Sequence, residues 1–197
     1  MSVIVTGSIA TDYLMKYPGH FREHILPDQE KLSVSFLVEE KTMSRGGVGP
    51  NIAYTLALLG QRPRLMGAAG QDFGDYRAWL EAQGVDTSLT VAFADEFTAT
   101  FTVITDLDQN QIAGFHAGAM SRARELSFRG LDPGEIDLVI ISPNVPIGML
   151  NSAAYFNMPT GSLGEMMTRS ISAPSSARKL SSRARLIAPA WKPAIWL

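Results

Sequence analysis

Between Arg45 and Asn51 the chain reads Arg-Gly-Gly-Val-Gly-Pro-Asn, with three glycines in four positions, and the apolar run that follows stops at Gly60. Without a Cβ, the backbone of such a stretch can come close to another segment or to a ligand. Asn51 then offers an amide and a carbonyl at the mouth of a predicted helix. Turns of this type suit the holding of substrate hydroxyls. Taken alone, the run also fits a tight turn ahead of a core helix.

The surrounding sequence alternates between strand and helix signals. Val3–Gly7 is a short apolar run ending in Gly7-Ser8, as expected of a buried parallel strand, and Asp12 follows on its carboxyl side. Open α/β sheets place ligands at that end. Residues 16–31, with Pro18, Gly19 and Pro27, read as loop, and Lys31–Glu39 alternates as a half-exposed strand with Leu32, Val34, Phe36 and Val38 on one face. The periodicity predicts a helix over Asn51–Leu59, a buried strand over Arg64–Ala69, and a helix over Phe73–Gln83 capped by Asp72 and ended by Gly84. Thr98–Thr105 and Gln111–Phe115 form an expected hairpin, and Asp137–Ser142 a third buried parallel strand. A layered α/β core with a β flap accounts for this order.

Charge divides the chain. The net charge is −2 overall, but only one acidic residue, Glu165, lies beyond Asn144, so residues 1–144 carry −7 and residues 145–197 carry +5. The later segment also holds 8 Ser, 8 Ala and 5 Pro, and its periodicity fades; it is expected to be an atypical basic tail, partly disordered, that never evolved as a domain. Cysteine is absent, which removes disulfide and thiolate-metal chemistry and suits a reducing cytoplasm. The N-terminus shows neither a charged leader nor a long apolar segment, so neither a signal peptide nor a membrane span is expected. The three histidines, His20, His24 and His116, lack the companions of a metal site, and the arginines lack the interleaved aromatics of a nucleic-acid surface. Neither a Walker A motif nor a dinucleotide fingerprint is present.

Gly46, Gly47, Gly49, Asn51, Ala53, Gly60 and Gly70 fall at the spacing of a 25-residue signature, and on these residues the chain resembles the PfkB-type (ribokinase-like) sugar and nucleoside kinases. It is most similar to bacterial adenosine kinases through "VTGSIATDYLM" (5–15), "GAAGQDFGDYRAWLEAQGVDTS" (67–88) and "FTATFTVITDLDQNQIAGFHAGAM" (97–120). The resemblance covers residues 1–144. It implies a ribokinase-like, Rossmann-type layered core with a small β-sheet lid from about 31–45 and 97–117. It further implies an ATP-dependent kinase acting on the 5′-hydroxyl of adenosine, with a PfkB-type sugar kinase or a non-catalytic nucleoside-binding remnant as alternatives.

By the same resemblance, Asp12 would hold the ribose 2′- and 3′-hydroxyls, Gly46, Gly47 and Asn51 would line the ribose site, Ser8 would sit at the base edge, and Phe101 and Phe115 would bracket the adenine. ATP and Mg belong to the later half of such kinases, as does the catalytic Asp. The sequence has no counterpart of that second signature, so this chain alone is expected to hold neither cofactor and not to turn over. The implied partners are a small nucleoside or sugar, with no nucleic acid and no membrane, and in an intact homologue a homodimer formed through the lid, with Leu32, Val34, Phe36 and Val38 as the surface.

Overall fold

A computed structural model describes residues 2–25, 33–126, 130–142 and 144, together with the backbone of 185–186. Five strands form a core sheet: β1 (Val3–Thr6), β4 (Arg64–Gly70), β5 (Thr90–Phe93), β8 (Leu138–Ile141) and β9 (Arg185–Leu186), in the order β5-β4-β1-β8-β9 with every pairing parallel. The apolar runs of β1, β4 and β8 are continuous because both faces are covered: Val3, Ile4, Val5, Leu65, Met66, Val139 and Ile141 are all at most 3% exposed. The expected strands at 3–7, 64–69 and 137–142 therefore do share one sheet. β5 was not apparent in the sequence, since only four residues carry it and Val91 is exposed.

Two helices cover the sheet, α1 (Val48–Leu58) and α2 (Gly74–Ala82). Ala53, Phe73, Tyr76 and Leu80 from these segments join Val3, Val5, Leu65 and Ile140 in one core. Both helices end as their glycines predict. The Gly60 and Gly84 backbones are left-handed (φ +81° and +90°), and the amides that follow bond back to the last turn, Gln61 to Leu56 at 3.0 Å and Val85 to Leu80 at 3.1 Å. Asp72 does not cap α2. Its carboxylate instead accepts the Thr98 amide at 2.8 Å, and the cap position is Phe73, with no side-chain bond.

A second sheet is the lid, built from β2 (Ala10–Lys16), β3 (Glu40–Gly46), β6 (Ala99–Thr105) and β7 (Gln111–His116) in the order β3-β2-β6-β7. β2 runs antiparallel to β3 and parallel to β6, and β6–β7 is the expected hairpin. β2 is not apparent from the sequence pattern, yet it is the spine of the lid. The expected strand over Lys31–Glu39 is not formed at 33–38; pairing starts at Glu40, opposite Lys16. The physical reason is that β2 ends there, at Tyr17-Pro18, so the residues before Glu40 have no partner strand. Phe36 turns inward and packs on Phe21 (4.8 Å between ring centroids) and Tyr17 (4.9 Å). It therefore belongs to its own chain's packing, whereas the neighbouring Leu37 is 87% exposed. Leu32 and nearly all of 145–197 lie outside the described residues.

Asp106 closes the far end of the lid. Its carboxylate accepts the Phe21 amide (3.0 Å), the Asn110 amide (2.8 Å) and the Asn110 side-chain amide (3.1 Å), joining the 19–25 segment to the hairpin turn. Burial alone would raise its carboxyl, but these donors hold it below the ordinary carboxylate value. A lowered folded-state value means a stabilisation that is present at neutral pH and lost as pH falls through that value. Asp106→Ala should accordingly lower the thermal midpoint at pH 7, with the gap from the parent closing as pH is taken below the carboxylate range. Equal midpoints at pH 7 would contradict this role.

Candidate functional site

The chain crosses between core and lid four times, and the site lies at these crossings. Gly7–Ile9 leads from β1 to β2, and Gly47 leads from β3 into α1. The two crossings pack backbone on backbone: a Cβ on Gly47 would lie 2.4 Å from the Ser8 carbonyl and 2.8 Å from the Ala10 nitrogen, and its φ of +92° is itself strained for other residues. The Val48 amide donates to the Ser8 hydroxyl (3.3 Å) and the Gly49 amide to the Ser8 carbonyl (3.2 Å). Pro50 sits in the first turn of α1, where a missing amide hydrogen costs nothing.

From this neck one row of side chains crosses the lid. Ser44, Asp12, Phe101 and Phe115 are direct partners on β3, β2, β6 and β7, so all four point to the same face. Ser8, Asp12, Phe101 and Phe115 line a cavity of about 460 Å³ on that face, within the usual range of small-molecule sites at roughly 300–1,000 Å³. Phe115 is 57% exposed and so is not a core residue, and among the described residues no aromatic ring stacks on either phenylalanine. Two open ring faces, a hydroxyl and a carboxylate therefore meet in one space. Ser44 is the member of this row that the sequence reading passed over, because its place beside Asp12 follows only from the β2–β3 register.

Asp12 is the charged group of the site. Gly46 lies diagonally across from it, and a Cβ there would stand 2.6 Å from the carboxylate oxygen, so the missing side chain makes the room Asp12 occupies. No ion pair or hydrogen bond satisfies this carboxylate among the described residues, and burial raises its carboxyl above the ordinary value. Its oxygens are free to accept two hydroxyl donors of a ligand.

Asn51 is not brought to this cavity. It lies on an exposed part of α1 with Val48, Ile52 and Thr55, and its carbonyl accepts the Thr55 hydroxyl at 2.8 Å. A second cavity of about 430 Å³ lies further out on the same lid face, against Leu14, Thr42, Val103 and Leu107. Its carboxylates are already engaged, Glu40 by Lys16 at 2.8 Å and Asp106 by the amides above. His20, Asp106 and Asp108 place ligand atoms within 4.8 Å of one another, but His20 contacts Asp108 at 2.9 Å and Arg22 stands 3.5 Å from the same oxygen. A nearby guanidinium and filled lone pairs do not suit a cation. A nucleoside triphosphate with magnesium does not fit the 460 Å³ cavity either, because one carboxylate, one hydroxyl and two phenylalanines supply nothing to neutralise phosphate. No helix among the described residues is long and apolar enough to cross a membrane.

Comparison with known proteins gives a consistent picture. A family model described as pfkB family carbohydrate kinase matches residues 2–159, beyond Asn144. A nucleoside kinase of Methanothermobacter thermautotrophicus is 34% identical over 119 residues, covering 59% of this chain and 36% of that protein. The nucleoside kinase of Burkholderia thailandensis is similar in its ligand-free form at a TM-score of 0.67 and 37% identity, covering 78% of this chain and 52% of that one. Its complex with inosine aligns at a TM-score of 0.61 and 35% identity, covering 78% of this chain and 49% of that one. The nucleoside kinase of Methanocaldococcus jannaschii, at 24% identity, shares the fold with a TM-score of 0.66, covering 84% of this chain and 54% of that one. The chain thus spans between about a third and about a half of the length of these relatives.

A raised folded-state carboxyl makes ionised Asp12 a cost to folding above that value, relieved as pH falls through it. Asp12→Asn should therefore raise the thermal midpoint at pH 7, with the gain vanishing at acid pH. A variant less stable than the parent at pH 7 would show that the carboxylate is paired.

Proposed function

This chain belongs to the pfkB family of carbohydrate kinases, and we propose that it is the nucleoside-binding part of a kinase that phosphorylates the 5′-hydroxyl of adenosine or a similar purine nucleoside from MgATP. The observation that carries this reading is the row Asp12–Phe101–Phe115, which sets a carboxylate beside two open aromatic faces. Asp12 would accept the ribose 2′- and 3′-hydroxyls, with Gly46 and Gly47 forming the floor beneath. Ser8 would meet the edge of the base, and Phe101 and Phe115 would hold its faces. Inosine in the Burkholderia relative supports a purine nucleoside over a free sugar.

Magnitudes favour a shared task. A charged bidentate contact contributes roughly 2–4 kcal/mol, and aromatic stacking about 1–3 kcal/mol per base. A free sugar would use only the first. The sugar-kinase reading therefore leaves Phe101 and Phe115 without a role, although half-buried Phe101 and exposed Phe115 both line the cavity. Asn51 would act on the ribose only if the ligand or lid reaches across to α1. In an intact homologue the segment before β3 would also be a pairing surface, through Val34 and Val38, since Phe36 is engaged by Tyr17 and Phe21.

Calorimetric titration of the 197-residue chain with adenosine, inosine, ribose and fructose tests the reading. Nucleosides should bind more tightly than the free sugars, and Phe115→Ala should remove most of that preference while leaving ribose affinity within about twofold. Equal affinity for ribose and adenosine would favour the sugar-kinase alternative. A coupled phosphotransfer assay should show no turnover by these 197 residues, because the sequence carries no counterpart of the second signature. Phosphorylation abolished by Asp12→Ala would overturn that expectation.

A further inference from the structure

We propose that Tyr76 is a positioning residue for the Asp12 carboxylate, acting through a hydroxyl bond that pins the end of β3 beneath it. The inference rests on the reading of Asp12 as the ribose ligand and adds to it a residue on α2, in the core layer. Tyr76 is 6% exposed, and its hydroxyl donates to the Gly46 carbonyl at 3.0 Å. Among the described residues this is the one side-chain hydrogen bond from α2 to the lid sheet; the others on α2 run to Thr87 and Thr90.

Gly46 is the residue over which the Asp12 carboxylate lies, 2.6 Å from where a Cβ would be. It is also the last residue of β3 before the left-handed turn at Gly47. Fixing its carbonyl therefore fixes both the floor under Asp12 and the start of the crossing that meets Ser8. The ring of Tyr76 has separate work to do. It packs edge-on against Phe73 (centroids 5.5 Å apart) and near Trp79 (6.0 Å), with the Arg45 guanidinium 5.9 Å from its centroid and 5.2 Å from that of Trp79. A phenylalanine would keep all of these contacts and lose the hydroxyl alone. Burial, opposed by Arg45 and assisted by Asp12, pushes the phenol well above its ordinary range, so it stays a donor at any working pH. The Gly46 carbonyl is buried with the residue, and without its donor the strand end would move towards water to recover a partner.

The test uses the whole 197-residue chain as parent, Tyr76→Phe, and Tyr54→Phe as a control, since Tyr54 also packs on Trp79 but makes no hydroxyl bond among the described residues. Three readouts are taken: adenosine affinity by calorimetry, amide hydrogen exchange, and the Asp12 carboxyl titration by NMR. Tyr76→Phe should weaken adenosine about five- to tenfold, as expected for one lost hydrogen bond acting through geometry. It should speed exchange at Val48 and Gly49, leave Leu65 and Met66 protected as in the parent, and move the Asp12 titration towards the ordinary carboxylate value. Tyr54→Phe should change none of these. Unchanged exchange at Val48 and Gly49 with an unmoved Asp12 titration overturns the proposal. Exchange that rises equally in β4 overturns it too, because the hydroxyl is then a general stabiliser. If the parent binds neither adenosine nor inosine, the functional reading fails, and the exchange and titration readouts still decide whether Tyr76 positions Asp12.

Discussion

Backbone-on-backbone packing at the neck between core and lid is the constraint on which the rest of the structure depends. The chain must leave the core sheet after β1, return into α1, leave again before β6, and return after β7. These passages are crowded into one place, and side chains are excluded from it: a Cβ on Gly47 would meet the Ser8 carbonyl at 2.4 Å, and one on Gly70 would meet the Thr98 nitrogen at 2.2 Å. The freed space is filled by hydrogen bonds. Gly49 donates to Ser8, Gly70 to the Thr98 hydroxyl at 3.0 Å, and Ala119 to Phe97 at 2.8 Å. Most glycines of the 25-residue signature thus have a structural cause, at the neck or at the end of α1.

The site is a consequence of that neck. Ser8 lies in one crossing and Asp12 two residues into the strand that leaves it, so close packing sets their spacing before any ligand is present. Gly46 then gives the carboxylate its place, and the lid register carries the row on to Phe101 and Phe115. The carboxylate is held against a cost, since burial raises its carboxyl and no described partner offsets this. A group kept charged in a half-buried place with its acceptors free is what ligand binding requires and folding alone does not favour.

Much of the core was legible because burial on both faces writes continuous apolar runs, as in Val3–Val5 and Leu138–Ile141, and because glycine at a helix end has one strong meaning, as at Gly60 and Gly84. The lid was harder to read. β2, "ATDYLMK", lacks clean alternation because Asp12 shares a face with Ala10 and Leu14; the candidate site residue itself spoils the pattern. The alternation in Lys31–Glu39 is real in that Phe36 is an inward residue, but a strand needs a partner, and β2 has ended by then. Asp72 departs from the expected cap for a related reason: its carboxylate serves Thr98, which is distant in sequence and adjacent at the neck. Of the site, Ser8, Asp12, Phe101 and Phe115 came together around one cavity, Gly46 and Gly47 form the turn beside it, and Asn51 stands apart on α1.

The central claim is that the row on the lid holds a purine nucleoside, and a structure of this chain with bound inosine tests it most directly. The account predicts the hypoxanthine between the Phe101 and Phe115 rings and both ribose hydroxyls within hydrogen-bond distance of the Asp12 carboxylate, about 2.5–3.0 Å. A nucleoside seated elsewhere, or one whose ribose turns away from Asp12, would contradict it.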